Sequence, residues 1–268
     1  MAVLLKCGAV FLHVPKTGGS WITHVLTENG LVRRQIGHIH ADMVRIQYYS
    51  SGGRVVFSSA YQWLKSITPR KLKGNAAGQL VKRAHTSYHD SRKPFCFCFV
   101  RHPLDWYASW WRYMCGRSGY NWSTESDLTS WHPCRELNNL GAPRFERFVR
   151  NVLEAHPGFV TGLFGLYTGP GIDFIGKQEN LADDLIAVLT RLNVNFDEDR
   201  VRSSEPVNVS KVPSQSTHWP ATVRTTAEQL EYAGLVRYGY EAHPDHLARH
   251  KNSDGKTDCQ QDPSLSVE

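Results

Sequence analysis

The stretch Ala9-Val10-Phe11-Leu12-His13-Val14-Pro15-Lys16-Thr17-Gly18-Gly19-Ser20 constrains this chain more than any other. Its apolar half, Ala9 to Val14, reads as a buried strand. The turn that follows is rich in glycine and carries a lysine and two hydroxyls. Beyond it Trp21, Val25 and Leu26 recur at roughly helical spacing, and Gly30 is placed to end the helix. Strand, glycine turn and helix start together form an anion cradle. Glycine lets the backbone come close, the first helical N–H groups lack partners, and the helix dipole favours negative charge. Lys16 adds a full positive charge, and Thr17 and Ser20 add donors.

A second unit of the same design starts at Pro94. Phe95-Cys96-Phe97-Cys98-Phe99-Val100 is apolar throughout, as a parallel strand covered on both faces should be. It ends in Arg101-His102-Pro103, where Pro103 suits a first helical turn and Asp105 complements the dipole. Arg101 stands at the strand's carboxyl end and Ser109 about two turns into the helix. Ligands of open α/β sheets bind at such ends, so the two side chains are placed to converge on one ligand.

The remaining pattern completes an α/β chain. Gln35 to His40 reads as a short strand or strand end with His38 and His40 on one face. Ala41 to Tyr49 reads as a short helix and Arg54 to Ser58 as a further strand. Gly116 to Leu140 breaks the periodicity and is expected to be a long loop. Pro143 to Glu154 is an amphipathic helix, Phe159 to Tyr167 a short apolar one, and Ile172 to Gly176 another strand. Leu181 to Leu192 follows as a helix, Pro206 to Lys211 as a loop, and Thr222 to Tyr238 as a final helix. The expected fold is α/β, a central mostly parallel sheet flanked by helices. Residues 1–250 are read as one domain, with a polar, mobile tail at 251–268.

Composition sets outer limits. At 268 residues, 41% hydrophobic and 21% charged, the chain is globular and can bury a substantial core. A net charge of +6 fits an anionic ligand, but 31 basic against 25 acidic residues is a mild excess. The basic segment Lys65 to Lys93 has few aromatics and reads as a solvated face, so no nucleic-acid partner is expected. Six cysteines without a CxxC pair do not make a disulfide framework. Cys96 and Cys98 share one strand face as buried thiols, and Cys115 and Cys134 are not required to pair. No apolar stretch is long enough for a membrane span, and the start lacks a leader's cleavage site. A cytoplasmic location is therefore expected. The thirteen histidines show no metal-ligand spacing, so no metal is expected.

Lys16 precedes both glycines, whereas a Walker A loop places its lysine after the last glycine. The order Pro-Lys-Thr-Gly-Gly-Ser resembles the 5′-phosphosulfate loop of the sulfotransferases that use 3′-phosphoadenosine 5′-phosphosulfate (PAPS). Val100-Arg101-His102-Pro103 through Ser109 resembles their 3′-phosphate element. Glu179-Asn180-Leu181 and Asn208-Val209-Ser210-Lys211 are similar to two later segments, the second a loop that closes over the nucleotide. The wording His-Val-Pro-Lys-Thr-Gly-Gly-Ser is most similar to the carbohydrate (glycan-type) branch and its soluble bacterial relatives. The resemblance implies a P-loop-like sulfotransferase fold and in-line sulfuryl transfer from PAPS to a hydroxylated acceptor, leaving 3′-phosphoadenosine 5′-phosphate (PAP). It implies a cofactor site made of Lys16, Thr17, Gly18, Gly19, Ser20, Trp21, Arg101, Ser109, Asn208, Ser210 and Lys211. It also implies a catalytic role for Lys16, at the oxygen where charge grows as sulfate departs.

A base is expected among the histidines after the first helix, since His suits proton transfer near neutral pH. Gly37-His38 is similar to the Gly-His of uronyl 2-O-sulfotransferases, which ranks His38 first and His40 second. Asp42 and Glu179 are the carboxylate alternatives, and His13 and His102 lie beside the motifs. Two other readings stand: a P-loop kinase or NTPase, and a non-catalytic binder of nucleotides or sulfated glycans. The first predicts the opposite loop order and a metal-binding Asp after the best strand, where Arg101 stands. The second predicts anion sites without a base.

Overall fold

A computed structural model describes residues 2–37, 40–43, 45–46, 94–118, 132–208 and 217–240. The expected strand at 54–58, the basic segment, most of the 116–140 loop and the tail after residue 250 lie outside them. Five strands form one sheet in the order β3-β1-β2-β4-β5. They are β1 (Ala2–Leu5), β2 (Val10–Leu12), β3 (Val32–Ile36), β4 (Cys96–Val100) and β5 (Phe174–Lys177). β2, β4 and β5 pair in parallel, with Val10 opposite Cys96 and Phe97 opposite Phe174. β1 runs against both β2 and β3. The sheet is therefore parallel where the two predicted strand–turn–helix units meet, and mixed beyond them.

Strand alternation sorts the core onto two faces. Phe11, Phe97 and Phe99 point to one face and pack with Trp21, Ile22, Val25, Leu185, Val188 and Val201. These come from α1 (Gly19–Glu28), α5 (Leu181–Arg191) and α6 (Glu198–Ser203). Val10, Leu12, Cys96, Cys98 and Val100 point to the other, toward Trp106, Tyr107, Phe148, Val160 and Val223. That layer holds α2 (Pro103–Ser118), α3 (Phe145–Ala155), α4 (Phe159–Gly165), α7 (Ala221–Leu230) and α8 (Tyr232–Arg237). Both strands of the parallel pair are buried on both sides, which explains their unbroken apolar sequences.

Four expectations on elements change. The strand expected at 35–40 is β3, which stops at Ile36; Gly37 turns the chain at φ 64°. The helix beginning at Pro103 runs on to Ser118, into the expected loop. α6 was not foreseen, although Asp197 caps it by accepting from the Arg200 N–H at 2.9 Å. The single final helix is two, because the fully buried Glu231 between them turns its carboxylate onto α4. It accepts from the N–H groups of Val160 (3.0 Å) and Thr161 (2.7 Å), the Thr161 hydroxyl (2.6 Å) and the Tyr107 hydroxyl (2.7 Å). A carboxylate thus satisfies the orphan donors of another helix's first turn.

Candidate active site

The β2–α1 turn is built by two left-handed residues, Lys16 at φ 63° and Gly18 at φ 83°. A lysine in that region is uncommon and is held there by its surroundings. Gly18 stands at the N-cap without a side-chain cap, so the first N–H groups of α1 are left for a ligand. The Thr17 hydroxyl is not among the donors; it turns back onto the Val14 carbonyl at 3.1 Å and tightens the loop. Trp21 is likewise turned away, its indole N–H donating to Ser204 at 3.2 Å. In both of these predicted cofactor residues the side chain holds the fold. The glycines serve packing as well: a Cβ on Gly19 would lie 2.1 Å from the His13 ring, and one on Gly18 2.8 Å from Leu181.

The Lys16 ammonium lies 4.2 Å from the centroid of the Tyr113 ring. Burial, with Arg101 and Arg112 nearby, lowers its pKa to about 8. Arg101 follows β4 and is itself lowered by burial, against the pull of Asp105 and Glu179. Its Nε is buried without a hydrogen-bond partner. Glu179 is spent as a clamp. One oxygen accepts from the His102 N–H at 2.8 Å and the other from the Tyr240 hydroxyl at 2.7 Å. His102 packs its ring against Tyr240 and accepts from the Leu104 N–H at 3.3 Å, an ordinary structural role.

α2 joins the two units. The Trp106 indole donates to the Pro15 carbonyl at 2.8 Å, fixing the helix to the Lys16 loop. Ser109 and Arg112 are three residues apart and share a stripe of the helix beside the aromatic stripe of Trp106, Trp110 and Tyr113. Three cations, Lys16, Arg101 and Arg112, thus repel one another across a single mouth. Arg112 escaped the sequence reading; its signal was the Ser109 spacing of one further turn.

His40 comes from the segment after β3 and packs beside His13. His13, His40 and His132 form a line of edge-to-face rings, with centroids 4.9 and 5.0 Å apart. His132 in turn contacts Trp110 at 5.8 Å. The His40 Nδ1 lies 3.0 Å from the His13 carbonyl, which can only accept, so Nδ1 carries the proton and Nε2 the lone pair. The Tyr167 hydroxyl donates to the His40 carbonyl at 2.6 Å and holds the segment from behind. His132 has the opposite tautomer, because its Nδ1 accepts from the Cys134 N–H at 3.0 Å. Burial pulls the pKa of His13 down to about 3, with Lys16 adding to it, and that of His40 down to about 2, with His13 adding to it. Both rings are neutral.

Asp42 is occupied as a cap, accepting from the Arg45 N–H at 2.9 Å and pairing with its guanidinium at 2.5 Å. Cys115 and Cys134 are free thiols. His38, Ser210 and Lys211 lie outside the described residues, and Asn208 stands at φ 59° at the edge of them. Among the described residues no cluster of His, Cys, Asp or Glu is arranged to hold a metal ion. No helix among them is long and apolar enough to cross a membrane.

Against known proteins, residues 3–230 match the model of the sulfotransferase family. The chain belongs to that family, and it is a transferase of sulfuryl groups. No curated protein and no solved structure matches it.

Proposed function

We propose that the chain transfers the sulfuryl group of PAPS to a hydroxyl of its acceptor. The observation that carries this reading is the convergence of Lys16, Arg101 and Arg112 from two strand–turn–helix units, with the Arg101 Nε buried and unpartnered. Two anion sites side by side suit a nucleotide charged at both ends. The orphaned guanidinium nitrogen fits a phosphate, which would accept from it. The N–H groups of Gly18, Gly19, Ser20 and Trp21, with Lys16, would hold the 5′ end. Arg101 and Ser109 would hold the 3′-phosphate, and Asn208, Ser210 and Lys211 would close over the nucleotide.

PAPS supplies an activated sulfuryl group whose leaving oxygen gains negative charge. Lys16 stabilises that charge, and Arg112 lies close enough to add to it. His40 is the base among the described residues, because its Nδ1–H bond to His13 presents the Nε2 lone pair and Tyr167 fixes its backbone. Burial keeps it unprotonated, and an anion bound beside Lys16 raises its basicity when the acceptor arrives. Positioning and charge carry the rest of the reaction.

Calorimetry tests the donor. PAP should bind more tightly than adenosine 5′-phosphosulfate, because lacking the 3′-phosphate forfeits a charged hydrogen bond of about 1.5–3 kcal/mol. Equal affinities would refute the assignment, and tighter binding of ATP with magnesium would restore the kinase reading. For the base, His40→Ala should lower turnover by roughly 10²–10⁴-fold while PAP affinity stays within a small factor. Unchanged turnover would move the role to His38.

A further inference from the structure

Among the described residues no carboxylate pairs with the Lys16 ammonium. What it meets is the face of the Tyr113 ring, 4.2 Å from the centroid. That ring is the outer end of a row. Trp106, Trp110 and Tyr113 follow one another at helical spacing on α2, with successive centroids 5.5 and 5.9 Å apart. Trp106 is fully buried and Trp110 is 6% exposed, whereas Tyr113 is 37% exposed. The two buried indoles therefore fix where the exposed ring stands.

The row grips residue 16 at two points. Its inner end holds the backbone, because the Trp106 indole donates to the Pro15 carbonyl at 2.8 Å. Its outer end holds the tip of the side chain. A lysine stem is flexible, so a fixed backbone alone does not aim the ammonium. An aromatic partner suits an anion site better than a carboxylate would. A carboxylate would occupy the N–H donors, cancel the charge and repel an anionic ligand. A π face attracts the cation through its quadrupole and leaves donors open on the far side. It also works against the surroundings of Lys16, since burial, Arg101 after β4 and Arg112 on α2 all favour the neutral amine. The Cys134 thiol and the His13 ring also titrate beside it.

Resting on the sulfotransferase reading above, we propose that Tyr113 is a positioning residue, whose ring holds the Lys16 ammonium charged and in place for the 5′ end of the donor before the donor arrives. The ring, not the phenol oxygen, does this. Phenylalanine at 113 therefore preserves the function, and an aliphatic side chain of similar size loses it.

The test compares Tyr113→Leu with Tyr113→Phe. Protein labelled with ¹³C and ¹⁵N at its lysines is titrated by NMR between about pH 6 and 10, the Lys16 signals being those missing from Lys16→Arg. In the parent the Lys16 Cε protons should lie upfield, under the ring current. Tyr113→Leu should lose that displacement and titrate Lys16 lower by about 0.5–1 pH unit, while Tyr113→Phe matches the parent. Calorimetry with PAP then reads the consequence. Affinity in Tyr113→Leu should start to fall at a correspondingly lower pH and be weaker by roughly 3–10-fold at pH 8. Tyr113→Phe should bind as the parent does. An unmoved Lys16 titration in Tyr113→Leu, or a Tyr113→Phe that behaves like Tyr113→Leu, would overturn the proposal alone. A parent that binds no PAP would overturn it together with the sulfotransferase reading. If Tyr113→Leu does not fold, the parent decides by itself, since Lys16 Cε protons without an upfield displacement would refute the contact.

Discussion

At the residue scale Lys16 has the most to reveal. Its pKa of about 8 reflects burial beside Arg101 and Arg112, and an anion bound among them would raise it again. On the proposed reading, only the ammonium form would attract the phosphosulfate. PAP affinity should therefore be full below pH 8 and fall as pH rises through it, and binding near pH 8–9 should take up a proton. Calorimetry in buffers of different ionisation enthalpy reads that proton directly. Lys16→Ala should abolish the uptake and lower kcat more than it weakens PAP binding, since the charge it meets grows in the transition state. A loss confined to KM would make it a ground-state anchor. The turns that carry Lys16 and Arg101 were legible in sequence because each follows an apolar strand and opens a helix. The turned-back hydroxyl of Thr17 and indole of Trp21 were not, because the order of residues does not say which way a side chain faces.

At the scale of elements, the site is the place where two loops are pinned by one helix. α2 holds the Lys16 loop through Trp106 and Pro15, sets Tyr113 against the Lys16 ammonium and brings Arg112 near it. The glycine turn depends on the same closeness. Gly19→Ala would drive a methyl group into the His13 ring, which is buried and touches Phe11 and His40. Overpacking of that kind costs about 1–3 kcal/mol. The variant should unfold at lower denaturant and bind PAP more weakly. A variant as stable as the parent would show that His13 has room to yield. The two strand–turn–helix units could be read in advance because apolar strands and Pro at the first helical position are local signals. The break at Glu231 could not, since the donors it caps lie some seventy residues earlier in the chain, on α4.

At the scale of the whole molecule, the fold class was legible while the antiparallel β1 and the paired histidines were not. Alternation marks a strand but not its partner, and an imidazole is buried by elements that meet only in three dimensions. That burial has a thermodynamic consequence. His13 and His40 titrate at about 3 and 2 in the fold and near 6.5 when unfolded, so between those values the unfolded chain binds more protons. Stability should fall as pH drops from 6.5, by up to about 1.4 kcal/mol per pH unit for each ring, and level off below the folded values. Urea melts between pH 4 and 8 measure the slope, and His13→Phe should make it shallower. An unchanged slope would assign acid sensitivity to other groups.

The strand order bears on how the molecule assembles. β1, β2 and β3 are neighbours in sequence and lie side by side with β1 in the middle, whereas β4 joins β2, and β5 joins β4, across long spans of chain. Contacts of that second kind are slow to form, because the closure of the intervening chain comes before any gain from pairing. Lys16 belongs to the early part, and Arg101 and Arg112 to the late one. Docking β4 onto β2 is thus also the step that forces three positive charges together. A multivalent anion would screen that repulsion, so β4 should dock faster when one is present.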